Sequence, residues 1–322
     1  MSERYYTKKL VNFFRDLMPM NNLSHYDDVS AINMGMYWLG VKIDGFSAFN
    51  SKFPWASWSD WGWKAVTACI SDLVVKGFEP LIAMYSLGIE RPEIAEEIAK
   101  GVYEALQEYK VYFGGGDFNK AHSDAWIDVA CIGISCTNPI PRHGAEVGNV
   151  IIVTGYYGLQ GAALHSYYKL RKEPCSSEII KITRRPKARI EAIPILHRYR
   201  NCITASIDIS DGLVESLYQL AEERKLVIEL DYVPIHTEAK AYAKIHGLDP
   251  LDLALYGGEE FEILIAVREE CSNTIIHELR KLNIPAHRIG KIISQGDAKI
   301  LFQERIIVRK GWNHFVPYYE IN

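Results

Sequence analysis

Apolar, β-branched runs in this chain end repeatedly in an acidic residue beside glycine or serine, a pattern that ties its strand ends to one another. The acids are Asp27 and Asp28 in YDDVSAI, Asp44 in VKIDG, Asp72 in ISDL, Asp117 in GGGDF, Asp208 and Asp211 in SIDISDGL, and Glu259 with Glu260 in YGGEEFE. Side chains at such positions leave the edge of a sheet rather than the flank of a helix. Carboxylates collected in one cleft repel each other unless cations compensate them. Hard divalent ions with oxygen ligands, Mg2+ above all, fill that role where the partner is a phosphate. Asp and Glu also favour turns for local hydrogen-bonding reasons, and that explains any single member equally well. It does not explain a whole set preceded by β-branched runs and flanked by GGG, GG or SDG.

At 322 residues, 48% of them apolar, the chain is long enough for two ordinary domains with a core each. The formal net charge of −4 offers no general attraction to nucleic acid or anionic membrane. No stretch approaches 18 uninterrupted apolar residues, and MSERYYTKK lacks the apolar core of a signal peptide. The cysteines at 69, 131, 136, 175, 202 and 271 show no metal-ligand spacing and mostly sit in apolar segments. They read as small, reduced, buried residues of a cytoplasmic protein.

The periodicity predicts an opening amphipathic helix through Leu10, Val11, Phe13, Phe14 and Leu17 that ends at Pro19. A strand at about 36–43, an aromatic loop from Phe46 to Trp63 and a helix over about 60–76 follow. LIAMYSLGI, VYFGGG and WIDVACIGIS read as strands, with a helix over about 92–109 after the first. NPIPRHGAEVGN (138–149) is rich in Pro, Gly and polar residues and marks a boundary between domains 1–140 and 141–322. Beyond it, VIIVTG, CITASIDI, LVIELD, FEILIAV, HRIGKI and KILFQERIIV read as strands. Helices are expected over 155–170, near 187–199 and from Asp211. The pattern is α/β of α+β type, without the regularity of a doubly wound sheet.

Ordinary nucleotide-binding devices are missing: there is no G-x-x-x-x-G-K-[ST] and no G-x-G-x-x-G after a strand. A nucleotide enzyme lacking both would hold phosphates through metal ions carried by carboxylates. The order of DD, D-x-F, SDLxxxGxxP, GGD, SxDxSDGL, GGEEFE, a late IGK and KGWNHF resembles the thiamine-monophosphate kinase family. That family shares the fold of aminoimidazole ribonucleotide synthetase. The resemblance runs from about residue 6 to residue 315. It implies a two-domain fold whose N-terminal strands pair across a homodimer. It also implies ATP- and Mg2+-dependent transfer of a γ-phosphoryl group to thiamine monophosphate, with no catalytic side chain beyond metal and positioning effects. Asp28, Asp44, Asp72, Asp117, Asp208 and Asp211 match metal ligands, and Asp27 supports its neighbour. Gly116, Asp117, Arg142 and Ser210 match nucleotide contacts. Lys52, Glu259, Trp312 and Phe315 match positions lining the substrate pocket.

Several positions depart from the family pattern. His25 and Tyr26 precede Asp27 where a glycine is usual, Lys42 and Ile43 replace hydroxyl residues before Asp44, and Phe118 and Asn119 replace two threonines after GGD. Lys52 takes the place of a histidine near the substrate. These changes keep open a related ATP-dependent enzyme with another acceptor, and a non-catalytic nucleotide-binding relative. Lys42 either neutralises a carboxylate in place of a metal or is an exposed strand lysine, and Lys52 is either a phosphate clamp or a solvated loop lysine. The aromatic loop suits a heterocycle such as a thiazolium ring or a subunit interface. The basic run Arg184, Arg185, Lys187 and Arg189 reads as a helix start around Pro186.

Overall fold

Local alternation builds the first sheet. In Trp126–Ser135 every second residue is buried, the mark of a strand with one covered face. The computed structural model describes residues 3–19, 23 and 26–310. Its first half runs α1 (Glu3–Phe13), β1 (Ser30–Asn33), β2 (Trp38–Ser47), α2 (Ala48–Ser51), α3 (Trp58–Val75), β3 (Glu79–Ile89), α4 (Ala95–Tyr109), β4 (Tyr112–Lys120) and β5 (Trp126–Ser135). The strands lie in the order β1-β2-β5-β3-β4. Only β3 and β4 are parallel, joined by the crossover through α4.

The second half runs β6 (Val150–Thr154), α5 (Leu159–Tyr168), α6 (Ser177–Arg184), α7 (Ile193–Arg198), β7 (Ile203–Asp208), α8 (Leu213–Glu222), β8 (Leu226–Leu230), α9 (Thr237–His246), α10 (Pro250–Leu255), β9 (Ile263–Val267), α11 (Glu269–Lys281), β10 (Ala286–Gln295), β11 (Lys299–Phe302) and β12 (Arg305–Ile306). Its sheet has the order β12-β11-β8-β10-β6-β9-β7.

The two halves share α3. Ser57 and Asp60 form a reciprocal capping box at its start, and every residue from Ser59 to Val75 is buried. The helix is buried on every side, as its mainly apolar sequence requires, and α3 packs on β2 and β5 on one side and on β7 on the other. Ile70, Leu73 and Val75 are fully buried, each worth about 1.5–3 kcal/mol. Glycine sets how closely α4 lies on α3. A Cβ on Gly101 would sit 1.8 Å from the Ser59 carbonyl oxygen, and one on Gly62 would sit 2.3 Å from that of Ile98.

Several expectations shift. The segment Phe46–Trp63 is mostly regular structure: the end of β2, α2 and the start of α3. KILFQERIIV breaks into β11 and β12 because Gln303 and Glu304 take positive φ (50° and 65°) in the turn. FEILIAV begins as a strand only at Ile263, since Phe261 also has positive φ. The helix expected near 187–199 is reduced to α7 after a 3-10 turn, and Arg184 closes α6 rather than opening a helix. Leu10, Phe13 and Leu17 are exposed, so the apolar stripe of α1 is not covered by the described residues.

Cysteine chemistry also differs from expectation. Cys202 and Cys271 form a disulfide. The β7–β9 register sets Ile203 opposite Val267, which brings the start of β7 to the first turn of α11. Cys69 and Cys131 are buried as expected, but Cys136 and Cys175 are exposed.

Candidate active site

Six of the acids, Asp28, Asp44, Asp72, Asp208, Asp211 and Glu259, meet in a cleft of about 330 Å³ between the halves. On β2, alternation sends Lys42 and Asp44 to the face that packs on α3, while Val41 and Ile43 point outward and are exposed. Helix α3 supplies Asp72 from its buried side, and the end of β7 supplies Asp208. Asp28, just before β1, completes the group. One carboxylate oxygen from each of Asp28, Asp72 and Asp208 lies within 4.8 Å of the others. Residues separated by up to 180 positions thus present hard oxygen donors to one point, the chemistry that Mg2+ requires.

Fixed cations compensate the acids. Lys42 Nζ lies 2.7 Å from Asp72 Oδ2 and 3.2 Å from Asp44 Oδ1. Lys76 Nζ, wholly buried, lies 2.7 Å from Asp27 Oδ1 and 2.8 Å from Asp28 Oδ2, and donates to the Ser206 carbonyl at 2.5 Å. Arg142 pairs with Asp28, and its backbone N–H donates to Asp27 Oδ2 at 2.9 Å. Ser71 Oγ donates to Asp208 Oδ2 at 2.9 Å.

Burial opposes ionisation throughout the group, and local partners decide the outcome. Burial pushes Asp28 up, but Arg142 and Lys76 override it and bring the carboxyl down to about 2. Asp208 rises to about 7 through burial and the charge of Asp28. Asp72 is pushed up by burial and by Asp208 in spite of Lys42. Burial acts to lower Lys42, yet Asp44 and Asp72 hold its ammonium charged, well above the usual range. Asp72 and Asp208 are thus the carboxyls of the cluster that lack a sufficient cation, and a metal ion beside them would favour their ionised form.

The other end of the cleft is aromatic. Phe46, Phe49, Phe53, Tyr167, Tyr168 and Tyr256 line it, with Phe53 stacked on Trp55 at 4.7 Å. Glu259 stands here on a backbone with φ of 59°. Its N–H donates to the Ser210 carbonyl at 2.6 Å, so the GGE turn is clasped to the SDG turn. That close approach needs glycine: a Cβ on Gly212 would lie 2.3 Å from the Gly257 carbonyl oxygen. Lys64 from α3 holds both oxygens of Glu259, at 2.8 and 2.9 Å.

Asp28, Asp44, Asp72, Asp208, Asp211, Ser210, Arg142, Lys52 and Glu259 all line the cleft. Gly116 and Asp117 do not. The cross-strand row of Asp44 runs through Val129 and Tyr85 to Gly116, three ladder steps or roughly 14 Å away. Asp117 stands on edge strand β4 and accepts from Asn119 at 2.6 Å. Trp312 and Phe315 lie outside the described residues.

Of the departing residues, Lys42 and Lys52 reach the cleft, while Ile43, Phe118 and Asn119 do not line it. Lys42 is an internal counter-ion rather than an exposed strand lysine. Lys52 is not a free loop lysine, since its Nζ lies 4.8 Å from the Trp58 ring centroid. The tryptophans mostly pack within the chain: Trp61 and Trp63 are buried and donate to Ser51 Oγ and the Pro186 carbonyl. The basic run is consumed by ion pairs: Arg184 and Arg185 hold Asp60, Lys187 holds Glu108, and Arg189 holds Glu262.

Sequence reasoning missed Lys64 and Lys76. Their signal is two lysines set in the largely apolar run WGWKAVTACISDLVVKG, where an unpaired charge would be costly.

Residues 26–135 match the family described as AIR synthase related protein, N-terminal domain, and residues 146–302 match its C-terminal domain. A thiamine-monophosphate kinase of Aquifex aeolicus is 31% identical over 79% of this chain and 80% of its own length. One from Methanospirillum hungatei is 32% identical over 82% and 84%. The solved structure of AaThiL complexed with AMPPCP and TMP superposes with a TM-score of 0.84 at 25% identity, covering 98% of this chain and 97% of that one. Both halves match in order and the kinase relatives cover most of the chain, so it belongs to the AIR synthase related family, in its thiamine-monophosphate kinase branch, and is an ATP-dependent kinase.

Proposed function

We propose that the chain phosphorylates thiamine monophosphate to thiamine diphosphate. The observation that carries this reading is the single cleft with three convergent carboxylates at one end and aromatic faces at the other. An oxygen of the acceptor phosphate attacks the γ-phosphorus of ATP, and the bond from that phosphorus to the bridging oxygen of ADP breaks. The attacking oxygen is already ionised near neutral pH, so no protein base is required, and positioning and charge neutralisation do the work. Asp28, Asp72 and Asp208 would hold Mg2+, with Asp44 and Asp211 beside them. When bound, that ion neutralises and orients the phosphates. Arg142 and Ser210 would meet the nucleotide.

The aromatic wall would take the cationic ring, while Glu259 serves it less, being already paired with Lys64. Lys52 in that wall favours one second reading, the same transfer to an acceptor with an anionic ring substituent.

The first sheet supports a homodimer. Val41 and Ile43 on its outer face, and Tyr112, Phe113 and Phe118 along β4, are exposed, a patch suited to strand pairing with a second copy. Such pairing is how Gly116 and Asp117 would join a phosphate site. Residues 1–140 would then form the nucleotide and dimer domain, with 141–322 closing the cleft. No helix among the described residues is long and apolar enough to cross a membrane, and dependence on ATP suits the cytoplasm.

The test is incubation with Mg·ATP and thiamine monophosphate, assaying ADP and thiamine diphosphate, with Asp72→Asn as the inactive control. Normal ATP binding with no thiamine diphosphate formed would discard this acceptor and favour the second reading.

A further inference from the structure

Lys42 is the one cation of the cluster that bridges two carboxylates from different elements inside the cleft itself. Lys76 lies beneath the cleft and is wholly buried, and Arg142 reaches Asp28 from the segment before β6. The Lys42 ammonium instead sits between Asp44 on β2 and Asp72 on α3, at 3.2 and 2.7 Å. Its side chain is 20% exposed, so it borders the cavity without being a solvent lysine. A divalent ion shared by those two carboxylates would need the same place, because two cations cannot share the gap between one pair of oxygens.

We infer that Lys42 is a built-in counter-ion that replaces one divalent ion between Asp44 and Asp72, so that this chain loads its nucleotide with one metal ion fewer than a variant lacking the ammonium. The inference rests on the proposed role of the cluster in holding Mg2+. The geometry supports it: the Lys42 ammonium occupies the gap between one oxygen of Asp44 and one of Asp72, and its removal leaves those two oxygens facing each other, open to a further ion. A tethered ammonium also needs no dehydration when nucleotide arrives, whereas Mg2+ gives up its waters reluctantly. The same lysine could instead swing onto the γ-phosphate and leave the Asp44–Asp72 gap to a metal, and the count of ions separates the two arrangements.

The experiment counts Mn2+ bound per chain by electron paramagnetic resonance, with the non-hydrolysable analogue AMPPCP present. Lys42→Thr should bind one more Mn2+ than the wild type, and Lys42→Arg should bind the wild-type number. Lys42→Gln, which keeps the stem without the charge, serves should the threonine variant fail to fold. The melting temperature of Lys42→Thr without metal should fall below that of the wild type, with a larger gain on adding Mn2+. Equal counts in wild type and both neutral variants would overturn the replacement while leaving the metal-binding cluster standing. No bound Mn2+ in any protein would overturn the metal reading itself and this inference with it.

Discussion

Replacing Lys76 with methionine keeps most of the stem and deletes one charge from the base of the site. In the native chain that ammonium is fully buried between Asp27 and Asp28, and the Asp27 side chain is itself fully buried. Without it, Asp27 keeps two backbone donors, the N–H groups of Arg142 and Asp28 at 2.9 Å each, and a distant His143 at 3.9 Å, but no fixed cation, while Asp28 keeps the Arg142 guanidinium. Breaking a buried ion pair by removing one partner costs about 3–5 kcal/mol. At about 2–4 °C per kcal/mol, the thermal midpoint should fall by roughly 6–20 °C.

The pH dependence gives a second handle. Asp28 is depressed to about 2 in the folded protein, so it contributes roughly 2 kcal/mol of stability that is present above its ordinary pKa and lost as pH falls through 2. Lys76→Met gives up part of that term. That part of the difference between wild type and variant should therefore be fully present at pH 7 and shrink as pH falls below the ordinary carboxylate range towards about 2. Calorimetric melts at pH 7 and at about pH 3 measure it. A midpoint within 2 °C of wild type at pH 7, or a deficit that does not change with pH, would refute the argument.

Glu260 offers the opposite sign. Burial holds its carboxyl up at about 8, with the charges of Glu259 and Glu262 adding to the effect, and neither carboxyl oxygen has a hydrogen-bond partner from another side chain among the described residues. The folded state therefore keeps a proton that the unfolded chain loses, and stability falls as pH rises from the ordinary carboxylate range to about 8. Glu260→Gln should remove that slope, so its stability relative to wild type should climb with pH by up to about 1.4 kcal/mol per unit; a difference that stays flat across pH in urea titrations would count against it. Gly101→Ala should push α4 off α3, because the new Cβ would lie 1.8 Å from the Ser59 carbonyl oxygen, and overpacking of this kind costs about 1–3 kcal/mol. An unchanged urea midpoint would mean that the helices separate without cost.

Much of the fold is legible in the chain itself, because strand alternation and turn chemistry are local. The alternating burial of Trp126–Ser135, the SDG and GGE turns and Asp208 at the end of β7 follow from neighbouring residues, whereas Asp72, expected to leave a sheet edge, lies inside α3 because the apolar run around it is a buried helix. The order of those turns also carries the family. The face of β2 on which Lys42 and Asp44 lie follows from its period of two. What that face meets does not, since Asp72 and Asp208 arrive from elements packed on it by long-range burial.

Tertiary structure alone pairs Lys76 with Asp27 and Asp28, and Lys64 with Glu259. It also turns the tryptophans of α3 into packing and the basic run at 184–189 into ion pairs, and it joins Cys202 to Cys271. Asp117 shows the limit most clearly. Its GGD motif reads like the other acids, yet a sheet order of β2-β5-β3-β4 carries it to the far edge, away from the cleft of its own chain. Strand order and charge pairing depend on which surfaces meet across a hundred or more residues, and no local pattern encodes that.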